Sequence, residues 1–199
     1  MIFLSPLSGQ ICDMIRIARE TDSAQLAAIY GWYVENTAVS FEYEAPSAEE
    51  FARRIREILT LHPFLVYEED GVLLGYAYAH PLIRRKACDW AVEVSIYIHR
   101  DARGKGIGRA LYEELERLLR KQNVCTLEAC VAACNGEDPY LTDSSIRFHN
   151  RMGYETVGKM SDCGYKFGRW YHLLWMEKHI APREAQMEAM VPFSMGNQP

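Results

Sequence analysis

Between Met14 and Lys178 the apolar residues follow two rhythms, one repeating every second position and one every third or fourth. These are the repeats of a strand with one buried face and of a helix with one buried stripe. Met14-Ile-Arg-Ile-Ala reads as a short first strand. Thr21-Asp22-Ser23 offers N-cap chemistry to a helix over about 23–35, on which Leu26, Ile29, Tyr30 and Tyr33 share a face. Ser47 and Glu50 form a capping box opening a second helix, with Phe51, Ile55, Ile58 and Leu59 at helical spacing. Two β-rich runs, Phe64–Glu68 and Val72–Ala79, flank Glu69-Asp70-Gly71 and predict a hairpin. Trp90–His99 is a further strand, Ile107–Lys121 an amphipathic helix with Leu111, Leu115, Leu118 and Leu119 inward, and Val124–Ala132 a strand. Ser144–Arg151 is a short helix ended by Gly153, and Thr156–Met160 and Tyr171–Lys178 complete the strands. This order predicts a single-domain α/β fold, a mixed central sheet flanked by helices.

The 199 residues suit one folded unit, placed at 14–180, with an N-terminal extension at 1–13. The tail at 181–199 lacks periodicity and is expected to be loosely held. A formal net charge of -5 argues against nucleic acid as a partner, because phosphate backbones call for a basic face. No apolar run approaches the ~18–20 residues that span a bilayer, so no membrane partner is expected. Met1–Gln10 lacks the basic start of a signal peptide, which makes the cytoplasm the expected location. The cysteines at 12, 88, 125, 130, 134 and 163 form no C-x2-C pair, and the histidines are scattered. Reduced thiols and no metal site are therefore expected.

One stretch carries distinctive chemistry. The strand around Val92–Ile98 runs into Arg103-Gly104-Lys105-Gly106-Ile107-Gly108-Arg109, and a long helix starts at once. Glycines admit an anion close to the backbone, and the open N–H groups of a helix start favour phosphate. Arg103, Lys105 and Arg109 add positive charge beside them. The P-loop pattern G-x-x-x-x-G-K-[ST] is absent, and the loop lies too far along the chain for a dinucleotide βαβ unit. A carboxylate, Glu93, stands inside the apolar strand just before the loop, where desolvation favours its proton and suits it to act as a base.

The spacing Arg103-x-x-Gly106-x-Gly108 between strand and helix resembles the pyrophosphate-binding motif of the GNAT superfamily of N-acetyltransferases. The element order fits that superfamily from Met14 to Ile180. Three stretches, Val92–Ile98, Ser145–Tyr154 and Gly164–His172, resemble the phosphinothricin and methionine sulfoximine N-acetyltransferases within it. The resemblance implies acetyl-coenzyme A as co-substrate, a small amino-acid-like primary amine as acceptor, and a homodimer. It implies that Glu93 is the general base and that His149 serves as acid or thiolate partner. It also implies that Ile96, Tyr97 and Ile98 offer backbone groups to the pantetheine arm. The usual short Asn-x-x-Ser segment is replaced by Asn135–Ser145, so either Asn135 or Thr142, together with Ser145, is the coenzyme A contact there. Phe41, Tyr43, Tyr76, Tyr78, His80, Lys166 and Trp170 are candidates to line the acceptor pocket, with Lys166 as a carboxylate partner. Two other readings stand beside this one: acetylation of a peptide or protein amine, and a non-catalytic coenzyme A sensor.

Overall fold

The computed structural model describes residues 14–194. The N-terminal extension up to residue 13 and the last five residues lie outside the described part. Seven strands form one sheet: β1 (Ile15–Ile17), β2 (Phe64–Glu69), β3 (Val72–Pro81), β4 (Ala91–Ile98), β5 (Thr126–Ala133), β6 (Glu155–Lys166) and β7 (Arg169–His179). Their order across the sheet is β1-β2-β3-β4-β5-β7-β6. Every neighbouring pair is antiparallel except β4 with β5. Helices α1 (Ser23–Asn36) and α2 (Ala48–Leu59) cover one face, and α3 (Ile107–Lys121) covers the other. The short α4 (Ser144–Arg151) follows β5.

Alternation along the central strands divides the core between the faces. Val92 and Val94 of β4 and Leu127 and Ala129 of β5 pack against Leu111, Leu115 and Leu119 of α3. On the opposite face Phe64, Val66 and Tyr76 meet Leu26, Ile29, Phe51 and Ile55 of α1 and α2. Ser47 caps α2 as its sequence predicts, accepting the Glu50 amide at 3.1 Å. Asp22 does not cap α1. Its carboxylate instead takes the Arg19 amide at 2.7 Å and the Arg16 guanidinium at 2.7 Å, closing a 3-10 turn over Glu20–Asp22.

Two expectations change. The sixth strand runs over Glu155–Lys166, well beyond Thr156–Met160, because irregularities between Thr156 and Gly158 and between Met160 and Gly164 break the alternation that marks a strand. The described part of the tail is docked as far as Phe193 rather than loose. The buried Gln122 side chain donates from Nε2 to Leu61 O and Val191 O, each at 2.7 Å. Phe193 N donates to Leu61 O at 2.9 Å, and Met190 and Phe193 pack onto the core. None of those partners is near in sequence, which hides the docking from local periodicity.

Candidate active site

The parallel pair β4–β5 stays in register only over Ala91–Glu93 and Thr126–Glu128. Beyond that rung the strands part. β4 continues against β3 as far as Ile98, and β5 continues against β7 as far as Ala133. The freed edges leave backbone groups without ladder partners and enclose a small cavity of about 50 Å³. Ser95, Ile96, Tyr97, Cys130, Ser145 and His149 are among its lining residues, with Tyr112 of α3 beside them. Ile98 is committed elsewhere: its carbonyl accepts the Tyr33 hydroxyl at 2.6 Å.

The glycine loop lies at the open end of this V. Gly106 caps α3 in the left-handed conformation (φ 83°), and Gly104 shares it (φ 77°). A methyl group at either would meet nothing within 4 Å, so the cradle is open to a ligand. No side chain caps the helix, and its first backbone bond runs from Ala110 N to Gly106 O. The amides of Ile107, Gly108 and Arg109 at this start precede that bond, the arrangement that binds anions. Gly108 lets α3 pack closely on Phe148, whose ring would lie 3.2 Å from a Cβ there. The Arg103 guanidinium stacks on Trp32 and Tyr33, 4.9 Å from each ring centroid. Arg109 pairs with Glu113 at 3.5 Å across one helical turn, and Lys105 is exposed. The loop and cavity thus fit a pyrophosphate joined to a narrow acyl-bearing arm.

Glu93 closes the V at its narrow end. Burial raises its proton affinity, and His80, with Nε2 at 3.8 Å from Glu93 Oε2, partly opposes the rise. Its register partner on β5 is Glu128, which burial and then the adjoining Glu177 carboxyl push up to about 7. His149 is buried on α4 and its proton affinity is lowered, chiefly by desolvation. A carbonyl can only accept, so the 2.8 Å contact between His149 Nδ1 and Ser145 O fixes the proton on Nδ1. Nε2 therefore accepts from the Tyr112 hydroxyl at 3.0 Å. The imidazole and the hydroxyl thus lie together at the cavity wall, and Tyr112 is a residue passed over in the sequence within the leucine stripe of α3.

The acceptor-pocket candidates separate. A large cavity of about 870 Å³ opens on the α1–α2 face, where Tyr76, Tyr78 and His80 of β3 line it. It is also lined by His62, Arg54, Arg84 and Arg85. Phe41, Tyr43 and Trp170 lie outside this lining and meet the β6–β7 hairpin instead. Phe41 packs on Tyr171 and against Gly164, where a Cβ would overlap its ring. The Tyr43 hydroxyl donates to Tyr165 O, and Trp170 packs on the Tyr165 ring at 5.0 Å. Lys166 is corrected from carboxylate partner to structural cation. It is 3% exposed, and its ammonium donates to Val34 O at 2.7 Å, Thr37 O at 3.1 Å and Ser40 O at 2.7 Å. Those carbonyls occupy all three of its donors. Thr142 lines a separate hollow of about 530 Å³ beside α4, and its hydroxyl donates to Ser144 Oγ at 2.9 Å; Asn135 is absent from that lining.

Residues 15–175 match the Acetyltransferase (GNAT) domain family. The chain belongs to that family, whose members transfer acyl groups. It is 32% identical over 169 residues to phosphinothricin N-acetyltransferase of Streptomyces viridochromogenes, covering 84% of this chain and 88% of the relative. Among solved structures it is similar to a GNAT phosphinothricin acetyltransferase from Sinorhizobium meliloti in complex with acetyl-coenzyme A. The TM-score there is 0.76 at 30% identity, over 90% of this chain and 97% of that one. A ribosomal-protein-alanine N-acetyltransferase from Brucella melitensis is similar too, with TM-score 0.72 and 36% identity over 83% and 98% of the two chains.

Proposed function

We propose that this protein transfers the acetyl group of acetyl-coenzyme A to the primary amine of a small amino-acid-like acceptor of the phosphinothricin or methionine sulfoximine kind. The observation that carries the reading is the V between β4 and β5, with a basic glycine loop at its open end and Glu93 at its closed end. Gly104–Arg109 bind the pyrophosphate, and the free edge of β4 at Ile96 and Tyr97 orients the acyl arm. The acceptor enters from the cavity of about 870 Å³, and His80 on its wall reaches to within 3.8 Å of Glu93. The Arg84 and Arg85 side chains on that wall have no ion-pair partner among the described residues, which suits an anionic acceptor.

An alkyl ammonium with a pKa of roughly 10 must lose a proton before its nitrogen can attack a thioester carbonyl. Glu93 accepts that proton, directly or through one water, and desolvation makes it a stronger base than an ordinary carboxylate. The C–N bond forms, the C–S bond breaks, and the second proton of the attacking nitrogen passes to the departing thiolate, which leaves as the thiol beside the Tyr112–His149 pair. Free amides of β4 stabilise the tetrahedral oxyanion.

The five cysteines described, at 88, 125, 130, 134 and 163, are all free thiols, which supports a reducing cytoplasmic location. An exposed apolar strip on the β6–β7 hairpin, including Val157, Met160 and Trp170, supports a homodimer. The likeness to a ribosomal-protein-alanine enzyme favours a peptide amine as the second reading. A thiol-release assay separates the two with phosphinothricin, methionine sulfoximine, free amino acids and a peptide with N-terminal alanine. Turnover of the small amines supports the proposal, and turnover of the peptide alone overturns it.

A further inference from the structure

After β7 the chain returns to the sheet as a strap over residues 188–193, held almost wholly by its backbone. Trp90 Nε1 donates to Glu188 O at 2.7 Å, and Asn123 Nδ2 to Ala189 O at 2.9 Å. Gln122 grips Val191 from both sides: its Nε2 donates to Val191 O, and its carbonyl accepts Val191 N at 3.0 Å. Phe193 N closes the series on Leu61 O. Met190 and Pro192, which alternate with the tied positions 189, 191 and 193, line the acceptor cavity.

The anchors of the strap border the same cavity. Gln122 Oε1 accepts from Nδ1 of the buried His62 at 3.3 Å, and His62 lines the wall. Trp90 precedes Ala91, which also lines it and shares a face of β4 with Glu93 two residues on. Three residues of strand separate Trp90 from Glu93, a distance of about 10 Å. Residues 188–193 lie beyond 15–175, the part that matches the family domain, so this wall is supplied from outside it.

We propose that the strap selects the acceptor, with Met190 and Pro192 touching the far end of the acceptor's side chain. The inference rests on the reading of this cavity as the acceptor site. With the amine at Glu93, the roughly 10 Å to the strap is bridged by an amino acid whose unbranched side chain ends in an apolar group. Met190 offers a flexible, polarisable thioether that moulds to such a chain, and Pro192 a rigid apolar ring.

The test is acetylation of a length series, 2-aminobutyrate, norvaline, norleucine and 2-aminoheptanoate, by wild type, Met190→Ala and Pro192→Ala. Met190→Ala shortens the wall side chain, so the preferred acceptor lengthens by one or two methylenes. The acceptor that wild type prefers loses roughly tenfold in kcat/KM, carried by KM, while longer ones gain roughly fourfold per methylene. KM for acetyl-coenzyme A stays at its wild-type value. Pro192→Ala moves the preference in the same direction by less. A loosened fold lowers every acceptor by the same factor and leaves their ranking alone, so it cannot mimic this result. An unchanged ranking in Met190→Ala, with native circular dichroism, overturns the inference. If that variant does not fold, an unchanged ranking in Pro192→Ala overturns it instead. Wild-type silence on the whole series while phosphinothricin is turned over also overturns it, and leaves the cavity as the acceptor site. Silence on phosphinothricin, methionine sulfoximine and the series together removes that reading and the role of the strap with it.

Discussion

Replacing Lys166 with Met removes a buried ammonium while keeping the length and bulk of the side chain. Three carbonyls, Val34 O, Thr37 O and Ser40 O, then lose their only side-chain donor on the segment that leaves α1. A buried acceptor left unpaired costs about 1–3 kcal/mol. Desolvation lowers the proton affinity of Lys166, so removing the ammonium also relieves a penalty that offsets part of that loss. A net destabilisation of about 3 kcal/mol follows, at the low end of what breaking a buried charged contact costs. For a chain of this size that lowers Tm by roughly 6–12 °C. Thermal melts of Lys166→Met and wild type, with acceptor KM measured on the folded fraction, give the answer. A Tm within 2 °C of wild type with acceptor KM raised tenfold or more would refute the reasoning and return Lys166 to the acceptor pocket.

Arg103→Ala leaves the helix start intact but removes the cation stacked on Trp32 and Tyr33, so KM for acetyl-coenzyme A rises roughly tenfold while acceptor KM stays put. Gln122→Ala releases the strap at residues 190–193 and lowers Tm by roughly 4–8 °C, which a melt of the variant checks against wild type. Glu128 is held above the ordinary carboxylate range, at about 7, so the folded state binds the extra proton and its contribution to stability falls as pH rises from about 4.5 to 7. Glu128→Gln is therefore expected to match wild type near pH 4.5 and to exceed it by on the order of 2 kcal/mol at pH 8, as urea melts at both pH values would show.

What the sequence disclosed follows from how local each signal is. The anion loop was legible because its glycines, its basic residues and the helix start lie within seven consecutive positions, Arg103–Arg109. Glu93 was legible as a charge inside an apolar strand. The same signal marks Glu128, but its meaning depends on the β4–β5 register, which no local pattern encodes. Tyr112 and His149 stand 37 residues apart, so their hydrogen bond emerges only from the packing of α3 on α4, although the contact with Ser145 O that fixes the histidine tautomer is local to α4. The aromatics at 41, 43 and 170 showed their bulk but not their neighbours. The tail betrayed nothing because its anchor, Gln122, is a polar residue at the end of α3.

The central claim is that the V between β4 and β5 brings an acetyl donor to a base at Glu93. Thiol release by Glu93→Gln tests it most directly, using an acceptor that wild type turns over and acetyl-coenzyme A binding confirmed by calorimetry. The account predicts unchanged donor binding with kcat lowered roughly 10²- to 10⁴-fold, the contribution of a positioned general base. Wild-type turnover by a variant that binds the donor normally would contradict it.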